Sequence, residues 1–165
     1  MSQKIADPSH AEQFSGPLSF LYDVLVGIVT RINAVIGDFG LWTTETYAAA
    51  SFTTADGTLW GVEAGDAAVA SMRIDRTLWV SFQIRGSDVT GTPSALYLRI
   101  PRNLQAVRDM STLVYIIDAG ATGVAGLASV VADGRTIAFR KFSGNFTATT
   151  ADNTTVLGQI AFEVR

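Results

Sequence analysis

Apolar residues recur at Leu18, Leu21, Leu25, Ile28, Ile32 and Val35, with successive spacings of 3, 4, 3, 4 and 3. That is the a/d spacing of a coiled coil, and it obliges the chain to bury a narrow stripe along one helix. Phe14 and Phe39 extend the stripe by one step at either end. Ser15-Gly16-Pro17 offers an N-cap followed by a proline that the first helical turn tolerates, and Gly37 supplies a stop. The spacing therefore predicts a helix over residues 14–38. Leu18, Leu25 and Ile32 fall at a; Leu21, Ile28 and Val35 fall at d. β-Branched residues at d are crowded in parallel dimers and better accommodated in trimers or tetramers. Val24 at g, with Tyr22 and Val29 at e, widens the apolar face in the same direction. Such a helix can also pack on a domain of its own chain. The strict 3-4 alternation favours self-association instead, although Gly27 weakens the register. A helix this short is marginal alone and needs an attached domain that oligomerises with it.

The composition of the 165-residue chain agrees with a surface that something covers. Charged residues make up only 16% and hydrophobic residues 48%, where about a quarter charged is usual. A membrane is a poor cover, because the apolar run Val24–Val29 is far too short for a span and lies between Asp23 and Arg31. The first twelve residues carry Lys4, Asp7, Pro8, His10 and Glu12 and do not read as a signal peptide. A partner subunit is the better cover. Residues 1–13 are polar and aperiodic and read as a flexible arm. The net charge of −3 gives no electrostatic reason to bind nucleic acid.

Residues 40–165 are rich in Thr, Val, Gly and aromatics and read as an all-β domain. Leu78, Val80, Phe82 and Ile84 alternate with Trp79, Ser81, Gln83 and Arg85, a strand with one face in a core. Gly86–Ser94 reads as a loop, and Ala95–Ile100 as the next strand, ended by Pro101. Further strands are expected at Thr46–Thr54, Thr58–Val62, Val69–Ile74, Leu113–Asp118, Leu127–Ala132, Thr136–Phe142 and Val156–Val164. Asp56-Gly57 and Asp133-Gly134 are turn signals between such runs, and the glycine-rich Ala119–Gly126 reads as a loop. The expected fold is mostly β: an antiparallel β-sandwich, jelly-roll-like, preceded by one N-terminal helix that forms a short trimeric coiled coil.

The inventory for chemistry is thin. The absence of cysteine removes thiolate sites and disulfides, and the single histidine, His10, lies in the arm, away from any folded site. A carboxylate pair of the glycosidase kind is the remaining catalytic option, but most acids of the β domain sit beside Gly, Thr or Asn, as turn acids do. Gly120, Gly123 and Gly126 lack the lysine of a P-loop. No cofactor and no metal are expected, and the chain is read as not an enzyme. Trp42, Trp60 and Trp79, with Tyr47, Tyr97 and Tyr115, form either a sugar-stacking platform or, as Trp60 and Trp79 inside strand-like runs favour, part of a core or subunit interface.

Within residues 76–164, the runs Leu78-Trp79-Val80-Ser81-Phe82-Gln83-Ile84, Gly86-Ser87-Asp88-Val89-Thr90-Gly91-Thr92-Pro93 and Leu96-Tyr97-Leu98-Arg99-Ile100-Pro101 follow one another. Gly144-Asn145-Phe146 and then Gly158-Gln159-Ile160-Ala161-Phe162-Glu163-Val164 close the chain. This order resembles the β-sandwich head domains of tailed-phage tail fibres and receptor-binding proteins. The resemblance implies a parallel homotrimer on a virion, with a coiled-coil stem and a β head, and it carries no catalytic residues. Only about a dozen residues precede the helix, so a short spike, a head fibre or a capsid decoration protein held by the arm is implied rather than a long shaft. The expected partners are two further copies, other virion proteins through residues 1–13, and a host-surface polysaccharide or protein. Ser87, Asp88, Thr90, Thr92 and Thr122, on the two predicted loops, are the candidate ligand contacts. From other classes, a carbohydrate-binding module or a C1q-like secreted trimer also fits the β domain.

Overall fold

The computed structural model describes residues 23–31 and 40–165, in two units that divide at Leu41/Trp42. Residues 23–31 are helical, inside the span that the heptad pattern predicts. Leu18, Leu21, Ile32 and Val35 of the predicted seam, and the predicted arm over 1–13, lie outside the described residues.

The β unit contains nine strands among the described residues: β1 Thr43–Thr44, β2 Phe52–Thr54, β3 Ala67–Ile74, β4 Thr77–Val89, β5 Leu96–Arg99, β6 Met110–Ile117, β7 Val124–Val130, β8 Thr136–Lys141 and β9 Thr149–Glu163. They form one sheet in the order β1-β3-β4-β9-β6-β7-β8-β5-β2, and every pairing is antiparallel. The two layers of the sandwich are halves of this one sheet. β4 and β8 are four strands apart, which in a flat sheet is about 19 Å. Yet Phe82 of β4 and Phe139 of β8 have ring centroids 4.8 Å apart. The sheet curls back on itself and closes a core.

The alternation in β4 shows why. Leu78, Val80, Phe82 and Ile84 are completely buried, and the same parity recurs as Val156, Ile160 and Phe162 in β9 and as Ile137 and Phe139 in β8. Each strand thus has an apolar face that is satisfied only when the sheet folds over it. An aromatic chain runs through the interior: Tyr47 stacks on Phe52 at 6.0 Å, Phe52 meets Trp60 edge-on at 5.8 Å, and Trp60 meets Phe139 at 6.1 Å.

Three expectations are corrected. Thr58–Val62 is not a ladder strand; it crosses between β2 and β4 with single bridges, Thr53 to Leu59 and Gly61 to Asp88, because Trp60 must turn inward. Thr46–Thr54 is interrupted by a 3₁₀ turn at Ala49–Ser51. Gly86–Val89 belongs to β4 rather than to a loop. There, between the pairs Ile84–Val156 and Ser87–Thr154, two residues of β4, Arg85 and Gly86, face one of β9, Thr155. Gly86 takes a left-handed φ of 65° and absorbs the extra residue as a bulge. The bulge reverses the parity of the strand, so Ser87 and Val89 point inward.

Candidate functional site

The connections after β2, β4, β6 and β8 gather at one end of the curled sheet, together with the start of β9. Hydrogen bonds knit them. Asp88 Oδ1 accepts from the Asp152 amide at 3.0 Å, the Gly120 amide donates to the Asn153 carbonyl at 3.0 Å, and the Phe146 amide donates to the Pro93 carbonyl at 2.9 Å. The segments that hold the predicted contact residues therefore belong to one surface, although nothing in the sequence placed the 149–153 segment between them.

The five predicted contacts fare differently. Thr90, Thr92 and Thr122 are exposed on this end, and Asp88 is half-buried. Ser87 is wholly buried: its hydroxyl accepts from Trp60 Nε1 at 2.9 Å and donates to the Thr154 carbonyl at 2.9 Å. It holds the core tryptophan and is out of reach of any ligand, a correction that follows from the Gly86 bulge.

Charge distinguishes this end. Asp56, Glu63, Asp66, Asp88 and Asp152 all lie on its turns and strand ends, with Arg85 nearby. Hydrogen bonds from the Thr54 and Thr58 side chains hold the Asp56 carboxyl below the usual carboxylate range. Asp118 is the most enclosed acid here. Burial alone would raise its pKa, but the hydrogen bonds from Lys141 and Thr147 outweigh it and the net direction is down. Lys141 Nζ lies 2.5 Å from Asp118 Oδ2 and 5.6 Å from the Phe146 ring centroid. The Thr147 amide and hydroxyl donate to the same carboxylate at 3.0 and 2.8 Å. This cluster pins the β8–β9 connection to the end of β6. Asp109 and Asp133 are similarly engaged, Asp109 by the Ala132 amide and Asp133 by Arg165. Among the described residues no three His, Cys, Asp or Glu side chains group as metal ligands.

A cleft of about 140 Å³ opens elsewhere, between the β3 edge and the end of β5, beneath the 45–51 segment. Phe52, Val69, Leu98 and Ile100 give it an apolar floor, and Glu45, Arg102 and Asn103 ring its mouth. Arg102 and Asn103 both have left-handed backbone, with φ of 58° and 56°, which costs about 1 kcal/mol or more per residue and tends to persist at sites of function. Arg102 reaches Thr43 Oγ1 at 3.2 Å and Glu45 Oε1 at 3.9 Å, while the Ser71 hydroxyl donates to Glu45. The sequence offered no sign of this cleft beyond Pro101, because its walls come from segments about fifty residues apart.

The aromatic side chains do not assemble into a platform. Trp60 is core, whereas Trp79 and Tyr115 are part-exposed on one outer face. On β9 their neighbours are Ala161 and Leu157, four residues apart.

Comparison with known proteins is sparse. No family model matches the chain, and no curated protein matches it. Among solved structures the chain is similar to the carboxy-terminal domain of the turkey type 3 siadenovirus fibre, avirulent form, complexed with 3-sialyllactose. The identity is 9% and the TM-score 0.35, over 74% of this chain and 95% of that one. Among the described residues no helix is long and apolar enough to cross a membrane.

Proposed function

We propose that this chain is a non-enzymatic virion structural protein of a tailed phage, a short homotrimeric fibre or spike. Its heptad helix forms the stem, and the loop end of its β domain meets a host-surface ligand. The observation that carries this reading is the heptad seam itself, of which Leu25 at a and Ile28 at d fall within the helical residues 23–31. A strict 3-4 alternation of this kind suits packing against copies of the same helix. The engagement of the buried Asp118 and of Asp56, Asp88, Asp109 and Asp133 in structural hydrogen bonds and ion pairs supports a binding role over a catalytic one. The acid-rich loop end favours an uncharged glycan or a basic protein patch as ligand, since a polyanion would be repelled.

Binding of the purified chain to whole host cells, measured beside binding to isolated virions and to empty capsids, tests the reading. Saturable binding to cells, weakened by Thr90→Arg or Thr122→Arg, is the expected result. Binding to capsids alone makes the chain a decoration or head-fibre protein, and hydrolysis of a host glycan overturns the non-enzymatic reading.

A further inference from the structure

One outer face of the curled sheet carries almost no charge. Met72, Trp79 and Ala161 form one cross-strand row over β3, β4 and β9. Ala70, Ser81 and Gln159 form the next. A third row, Ala68, Gln83, Leu157, Tyr115 and Ala125, extends across β6 to β7, where Leu113 opposite Leu127 adds to it. Charges appear only at the two ends of these strands: Arg85 at one, and Glu163 with Arg76 at 2.9 Å and Arg108 at 3.2 Å at the other. The outer face of β5 and β8 carries Arg99 and Arg140 instead, and Arg140, opposite Leu127 and donating to Ser129 Oγ at 2.8 Å, closes the uncharged region at β7. A solvated antiparallel face normally alternates apolar-in with polar or charged-out, and here the outward residues are Trp, Tyr, Leu, Met, Ala, Ser and Gln. Leu113 is 67% exposed, Tyr115 45% and Trp79 37%. Tyr115 also lies over Gly123, where any Cβ would collide with its ring.

We infer that this face, over β3, β4, β9, β6 and β7, packs against another copy of the same chain. Three observations select that occupant. The sheet edges, β1 and β2, are two and three residues long, too short for association by strand addition. An uncharged surface covers an uncharged surface without stranding a charge, and a second copy is such a partner. The heptad helix is a separate sign of self-association in the same chain, and tethering to a stem raises the effective concentration of the faces. Size fits as well: the three rows over β3, β4 and β9 cover about 15 by 20 Å, near 300 Å², and the row through Tyr115 carries the surface round the curl onto β6 and β7. A standard specific interface removes about 800 Å² of accessible surface per partner. The face is thus large enough to contribute substantially and small enough to need the stem. The inference rests on the self-associating part of the proposed function and specifies its contact.

The lack of cysteine permits a direct test on the full chain. Single-cysteine variants Gln159→Cys and Leu113→Cys probe the face, and Thr136→Cys probes the charged outer face of β5 and β8. All three positions are exposed in the single chain, so folding is expected to survive and is checked by far-UV circular dichroism. Reaction with a maleimide is expected to be at least tenfold slower at 159 and 113 than at 136. That protection should disappear in a Leu25→Asp/Ile28→Asp background. Equal rates in a chain whose mass is that of three copies overturn the face assignment and leave the stem intact. A single-copy mass overturns both. A second variant, Gln159→Arg, places a charge at the centre of the face and is expected to shift the assembly toward single chains. An unchanged mass at micromolar concentration counts against the inference.

Discussion

Ser87 and Asp118 show how one residue's role depends on what faces it. Ser87 sits in a polar run that resembles a surface loop, yet it is the hydrogen-bond partner of the buried Trp60. Ser87→Ala leaves the indole N–H without its acceptor, a loss of about 1–3 kcal/mol. Chemical denaturation should show that loss, while ligand binding by the folded variant stays unchanged. Asp118 has a carboxyl that Lys141 and Thr147 hold below the usual carboxylate range in the folded protein. A depressed folded-state pKa contributes stability above the unfolded value and loses it as pH falls through the folded one. Denaturation midpoints are therefore expected to hold from neutral pH down to about pH 5 and to fall below pH 4. Asp118→Asn should flatten that acid-side decline and lower the midpoint at pH 7.

At the scale of elements, β9 organises the domain by pairing with β4 along most of its length and with β6 only at Thr155–Leu157. Just beyond, at Gly158, β6 leaves β9, and Val114 packs directly over the glycine; a Cβ there would lie 2.6 Å from Val114 Cγ1 and 3.1 Å from the Phe82 ring. Gly158→Ala overpacks this junction at a cost of about 1–3 kcal/mol, measurable as a drop in Tm with no change in the β-type spectrum. Strands with a clean period of two, such as Leu78–Ile84, were legible in the sequence, since each alternate side chain finds the same core. The Gly86 bulge was not legible. A left-handed glycine inside a strand and a glycine in a loop look alike until the partner strand counts the residues opposite.

For the whole molecule, uncovered surface is what a single copy leaves unresolved. The helix presents Leu25 and Ile28, and the sheet presents an uncharged face. Static light scattering of the full chain is expected to report a mass near three chains. Leu25→Asp combined with Ile28→Asp should reduce it toward one while leaving β-type circular dichroism largely intact. If the β signal collapses with the mass, the helix is required for the domain to fold.

Sequence periodicity alone determined the division into a heptad helix and an antiparallel β domain, because amphipathic period is a local property that survives any arrangement of the elements. Composition alone raised the expectation of a covered surface, since 16% charged residues is well below the usual quarter. Only the tertiary structure decided that the sandwich is one curled sheet, that Ser87 belongs to the core, and that Glu45 and Arg102 share the mouth of a cleft. It also gathered the uncharged outward residues of β3, β4 and β9 on one face and carried them round the curl to β6 and β7. Each of these depends on which strands become neighbours and on a one-residue slip between them, and long-range pairing sets both.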